Sequence, residues 1–180
     1  AFPTDTVYGL AARFDSSTAI DRLFKAKGRD FNKAIAVLIG VLPQIHRVAE
    51  SLPLAAGLLA ERFWPGALTI VVTRQTNLPA NLSPDQTIGV RIPDHPFARQ
   101  LLQITGPLAT TSANLSGQAN PYSADDVIQQ LDGQVDLSLD GGMVQGGVPS
   151  TVVGWVSGDL KIFRQGAITE EEIIKTLNPL

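Results

Sequence analysis

Cysteine is absent from the 180-residue chain, which excludes disulfides, a thiolate nucleophile and a zinc–thiolate cluster and suits a reducing compartment, with the cytoplasm as the expected one. Histidine is scarce: His46 and His95 share no metal-ligand spacing and read as a solvated helix residue and a turn or cap residue. Charge is sparse as well. With 17% charged residues and a net charge of −3, the electrostatic footprint of a dedicated nucleic-acid binder is missing, leaving room only for a local basic pocket. No apolar run approaches the ~18 residues a membrane span needs, and no basic-then-apolar leader is present, so no membrane partner is expected. Neither Gly-x-Gly-x-x-Gly after a strand nor Gly-x4-Gly-Lys-Ser/Thr occurs. A bound nucleotide would need another phosphate cradle.

What is present is apolar content of 44% in a length that suits one buried core, so residues 1–180 read as a single domain. Ala1-Phe2-Pro3 reads as the tail of a strand whose beginning is missing, that is, as an N-terminally shortened domain. Ile20, Leu23 and Phe24 have helical spacing, with Ser16 or Ser17 as N-cap and Gly28 as the stop. Ala34 to Ile39 reads as a buried strand, and Leu42 to Phe63 as two helices split near Leu52-Pro53. Strands follow at Ala67 to Thr73 and Thr87 to Ile92, then a helix from Pro96 to Ile104 and a strand near Pro107 to Thr111. Ser123 with Asp126 and Thr169 with Glu172 predict the starts of two more helices, ending at Leu131 and Leu177. Strands are expected near Val135 to Leu139, Thr151 to Val156 and Leu160 to Phe163. This alternation predicts an α/β fold, a twisted mixed sheet covered by helices.

Two short segments carry most of the chemistry. Lys27 and Arg29 lie at or beyond a helix C-terminus, where they suit either a phosphate cradle or solvated caps that complement the macrodipole. Ser112-Ala113-Asn114 follows a strand, either as a plain turn or as small polar donors beside a ligand at a strand end. Thr4, Asp5, Thr6 and Tyr8 follow an apolar strand end, and strand alternation would send Thr4 and Thr6 to one face. Arg91, inside Ile88-Gly89-Val90-Arg91-Ile92, wants an anion, either a structural carboxylate or that of a ligand. Glycines between Gly141 and Gly147 either face a phosphate with backbone amides or make turns, and Trp64 reads as a packing anchor.

Together, Pro3-Thr4-Asp5-Thr6-Val7-Tyr8-Gly9-Leu10, Lys27-Gly28-Arg29, Ser112-Ala113-Asn114, Ser150-Thr151-Val152-Val153 and Arg164-Gln165-Gly166-Ala167-Ile168 resemble the YrdC-like family of threonylcarbamoyl-AMP synthases in its short form. The resemblance covers nearly the whole chain. It implies a YrdC-like fold with a concave basic ligand cavity, and synthesis of threonylcarbamoyl-AMP from L-threonine, bicarbonate or carbon dioxide, and ATP. Mg²⁺ is expected with the ATP, and the downstream partner is the machinery that transfers threonylcarbamoyl to tRNA, with at most weak contact to tRNA itself. By the same resemblance Thr6, Arg91, Thr110 and Ser150 lie around threonine. Arg29, Lys33, Thr87, Ser112, Asn120 and Arg164 lie around ATP, and Lys27 and Asn114 complete a catalytic set with Arg29 and Ser112. Lys33, Leu38 and Gly154 depart from the family pattern, which commonly has Asn, His and Asp there. Two other readings are an RNA-binding module of ribosome or tRNA maturation and a related carbamoyl-transfer domain.

Overall fold

The structure is a computed structural model that describes residues 1–178. Its strands are β1 (Gly9–Arg13), β2 (Ala36–Leu38), β3 (Leu68–Thr73), β4 (Thr87–Arg91), β5 (Leu108–Ser112), β6 (Thr151–Val156) and β7 (Asp159–Arg164). They form one sheet in the order β1-β5-β2-β4-β3-β6-β7. The β2–β4 and β3–β6 pairs are parallel and the rest antiparallel, so the sheet is mixed, as expected. Among the described residues five α-helices, α1 (Ser17–Lys27), α2 (Leu54–Phe63), α3 (Pro96–Thr105), α4 (Ala124–Leu131) and α5 (Glu170–Leu177), complete the α/β architecture.

The helix ends form where the local chemistry predicts them. Ser16 accepts from the Ala19 N–H, and Gly28 closes α1 in the left-handed region at φ 57°, which glycine adopts without a Cβ penalty. Ser123 with Asp126 and Thr169 with Glu172 form reciprocal capping boxes at the starts of α4 and α5. His95 caps α3 through its side chain, and Trp64 donates its indole N–H to the Leu68 carbonyl at 2.7 Å.

Alternation along the strands divides the sheet into two unlike faces. Val37, Ile70, Val72, Ile88, Val90 and Val153 point into the main core with the buried sides of α1, α2, α4 and α5. On the other face α3 covers only one end, where Leu38 packs with Phe2, Ala98 and Leu102. The remainder of that face holds Thr69, Val71, Gly89, Thr110 and Val152.

Three expectations are corrected. Val135 to Leu139 forms no strand: its partner is the start of the chain, and only the Ala1 amine to the Leu137 carbonyl and the Leu139 N–H to the Ala1 carbonyl are made, too few for a ladder. The first element between Leu42 and Phe63 is a short 3₁₀ helix, Leu42–Arg47, rather than an α-helix. Thr4 to Thr6 is not extended either. The Thr4 hydroxyl donates to the Val7 carbonyl at 2.7 Å and accepts from the Thr6 and Val7 N–H groups, folding the segment into a turn before β1.

Candidate functional site

The uncovered end of the second face forms a cavity of about 270 Å³. Its floor is made of small groups, because β2, β3, β4 and β6 place Ala36, Val71, Gly89 and Val152 there. A Cβ on Gly89 would stand 2.9 Å from the Thr69 Cγ2, so this strand position needs glycine to keep both the sheet register and the floor. The turn before β1 closes one side through Thr4, Thr6 and Val7. The Pro3–Val7 turn lies against the Gly141–Gly147 segment, whose Gly147 N–H donates to the Thr6 carbonyl at 2.9 Å. A Cβ on Gly146 would lie 2.0 Å from the Asp5 carbonyl oxygen, so the sequence glycines here serve close approach of two backbones.

Three guanidinium groups reach this cavity. Arg91, at the end of β4, is only 5% exposed. Its Nη2 pairs with Asp5 Oδ1 at 2.5 Å, its Nη1 donates to Thr6 Oγ1 at 3.0 Å and its Nε to the Gly66 carbonyl at 2.8 Å. The structural carboxylate that a strand-embedded charge requires is therefore Asp5. Arg164, at the end of β7, clasps Ser150: Nε and Nη2 donate to its carbonyl at 3.0 and 2.8 Å, and Nη2 also reaches its hydroxyl at 3.1 Å. The same hydroxyl is 2.8 Å from Thr69 Oγ1. Arg29, just past the end of α1, donates from Nη2 to the Ala34 carbonyl at 2.9 Å, while its Nε is buried with no protein acceptor.

The three cations act on one another. Burial pulls all three below the ordinary arginine pKa, and the Arg164 charge adds to the effect at Arg29 and at Arg91, where Asp5 opposes it. Such a set holds donors in place for negative charge and offers no nucleophile.

Lys27 behaves differently. Its ammonium is turned away from the cavity and donates to the Ser112 carbonyl, the Asn114 carbonyl and, at 3.3 Å, Asn114 Oδ1. Burial, with help from the Arg29 charge, lowers its pKa to about 8.

A family model, Sua5/YciO/YrdC, described as "Telomere recombination", matches residues 1–166. The chain belongs to the Sua5/YciO/YrdC family. It is 38% identical over 186 residues to the threonylcarbamoyl-AMP synthase of Bacillus subtilis, a match covering 100% of this chain and 53% of that protein. The threonylcarbamoyl-AMP synthase of Pyrococcus abyssi is 36% identical over 182 residues, covering 100% of this chain and 54% of the relative. The crystal structure of P. abyssi Sua5 complexed with L-threonine matches with a TM-score of 0.94 at 37% identity, over 98% of this chain and 52% of that one. This chain thus spans about half the length of these relatives.

Within this Sua5/YciO/YrdC fold, eight of the twelve residues carried over from the family resemblance come together: Thr6, Arg29, Arg91, Thr110, Ser112, Asn120, Ser150 and Arg164 all line the cavity, as does Thr4. Four do not. Lys27 lies behind the wall with its donors engaged, and Asn114 is turned into its own loop, where its amide donates to the Leu115 and Gln118 carbonyls at 2.9 and 2.8 Å. Lys33 is exposed on the turn after Arg29, outside the cavity lining. Thr87 shares a face of β4 with Gly89 and Arg91 but is exposed at the far end of the strand, about 13 Å from Arg91 by strand rise. Strand membership alone could not tell which end of β4 carries the cavity.

Thr69 and Asp5 are the site residues that sequence reasoning missed or left without a role. Thr69 had a legible signal: in Leu68-Thr69-Ile70-Val71-Val72 it alternates with apolar residues that must face the core. Asp5 had none, since its partner Arg91 is 86 residues away.

Proposed function

We propose that this chain synthesises threonylcarbamoyl-AMP from L-threonine, bicarbonate or carbon dioxide, and ATP, acting as a nucleotidyltransferase in the cytoplasm. The observation that carries this reading is one cavity with two kinds of cation: Arg91 compensated by Asp5, and Arg29 and Arg164 without a carboxylate partner among the described residues. The first kind suits the carboxylate of a zwitterion, flanked by the hydroxyls of Thr6, Thr110 and Ser150. The second suits a polyphosphate, with Ser112 and Asn120 beside it. Family membership and relatives named threonylcarbamoyl-AMP synthase support the same assignment.

In this reading the threonine amine captures carbon dioxide, losing a proton and becoming a carbamate. One carbamate oxygen attacks the α-phosphorus of ATP, the bond to the β-phosphate bridging oxygen breaks, and pyrophosphate leaves. No side chain forms a covalent bond. The protein contributes orientation of the two substrates and guanidinium groups that stabilise charge on the transferring phosphate. Among the described residues no group of three or more His, Cys, Asp or Glu could cradle a metal, so Mg²⁺ would be held by the phosphates it accompanies. The mixed anhydride then serves the machinery that moves threonylcarbamoyl onto the adenosine beside the tRNA anticodon.

The test is pyrophosphate release from Mg-ATP, with L-threonine and bicarbonate each omitted in turn. Release that needs both is the expected result. A folded protein that releases no pyrophosphate in response to threonine overturns the reading.

A further inference from the structure

Two motifs that the sequence presents separately, Lys27-Gly28-Arg29 and Ser112-Ala113-Asn114, are bound to each other inside the protein. Lys27 is 2% exposed, and its Nζ donates to the Ser112 carbonyl, the Asn114 carbonyl and Asn114 Oδ1. The contact is reciprocal in the backbone, because the Ser116 N–H donates to the Lys27 carbonyl at 2.9 Å. No carboxylate lies within ion-pair distance of Lys27 among the described residues. An ammonium offers three donors, and three acceptors from one loop engage them, so nothing is left for a ligand. Ser112, by contrast, lines the cavity.

We propose that Lys27 is a positioning residue: it ties the loop after β5 to the end of α1 from behind the cavity wall and thereby sets where Ser112 stands toward the nucleotide, without touching phosphate. Arg29, two residues on, is the ligand-facing cation of the pair. The assignment of a nucleotide to this wall rests on the function proposed above, whereas the tethering of the loop does not.

The test uses Lys27→Met in the full chain, with amide hydrogen exchange and ATP titration over a salt series. Loss of the ammonium should speed exchange at Ser116 and Gln118 about tenfold, the scale of one hydrogen bond to a charged group, while β3 and β4 amides stay as protected as before. ATP affinity should keep the salt dependence of the unaltered protein, because no cation has been removed from the ligand. Where the chain is active, kcat should fall more than KM for ATP rises. A phosphate ligand predicts the opposite: weaker ATP binding with a flatter salt dependence and unchanged exchange in the loop, and that result overturns the proposal. Should Lys27→Met fail to fold, Lys27→Gln removes the charge and shortens the reach to the three acceptors while leaving the loop's own bonds in place; faster exchange at Ser116 with the salt dependence of ATP binding kept supports the tether, and unchanged exchange overturns it. Absence of any ATP binding in the unaltered chain would overturn the nucleotide assignment and leave the exchange result to decide the tether alone.

Discussion

Arg91 is paired with Asp5 at 2.5 Å and braced by Thr6 and the Gly66 carbonyl, whereas Arg29 and Arg164 lean only on the Ala34 carbonyl and on Ser150. The Arg91–Asp5 pair is close to electrically neutral before any ligand arrives. Arg29 and Arg164 have no carboxylate in ion-pair contact among the described residues, with Asp30 acting on Arg29 only at longer range, and both are held partly out of water. A ligand of no net charge can therefore settle at Arg91 by direction of hydrogen bonding, whereas Arg29 and Arg164 favour a ligand that brings several negative charges. Under the proposed function, selectivity between the two subsites would come from compensation by a carboxylate, not from the kind of cation, since all three are arginines.

The largest effect should come from removing the braced cation. Arg91→Ala should weaken threonine binding by about 1.5–3 kcal/mol, the scale for a hydrogen bond to a charged group, while ATP affinity changes little. Calorimetric titration of each ligand tests it, with Arg91→Lys, which cannot reproduce the fork, as a folded control. Loss of ATP with threonine kept would reverse the two subsites. Next in size, Arg29→Ala should weaken ATP binding by about tenfold and leave threonine within twofold, one charge-assisted contact being removed from a wall that Arg164 still serves. Equal losses of both ligands would break the comparison.

A smaller and sharper effect is expected from Asp5→Asn, which keeps an acceptor beside Arg91 but removes its compensation. KM for threonine should rise about fivefold, roughly 1 kcal/mol, with KM for ATP unchanged or lower, because the cavity gains positive charge. A rise in KM for ATP instead would show that Asp5 serves the whole cavity.

The last comparison concerns stability against pH and does not involve ligand binding. Burial lowers the Lys27 pKa from 10.5 to about 8, so between these values the unfolded chain binds the proton more tightly than the fold does. Lys27 therefore contributes stability that grows as pH rises through about 8 and levels off near 10.5. Melting temperatures of the unaltered chain and Lys27→Met, compared from pH 7 to 9.5, should shift in favour of the unaltered chain as pH rises. A difference that stays flat would mean that the ammonium is not perturbed.

Much of this was legible in local chemistry. The ends of α1, α4 and α5 follow from Ser16, Gly28, Ser123 and Thr169, because a cap answers to backbone groups within a few residues of itself. Arg91 announced its need for an anion by standing in an apolar strand, and eight residues carried over from the family resemblance do line one cavity. Thr4 and Thr6 were singled out for the wrong reason: they converge, at 3.1 Å between hydroxyls, through a turn and not through strand alternation. Val135 to Leu139 has strand-like composition, yet a strand needs a partner ladder, and composition does not supply one.

By itself the amino-acid sequence determined the helix caps, the alternation that divides the sheet into a core face and a second face, and the chemical types gathered at the site. Those depend on neighbours a few positions away. Only the tertiary structure decided which of Lys27 and Arg29 meets a ligand and which is locked inside, because the acceptors that capture Lys27 lie 85 and 87 residues further along the chain. The same holds for Arg91, whose charge is compensated or free according to where the turn carrying Asp5 is laid across the sheet.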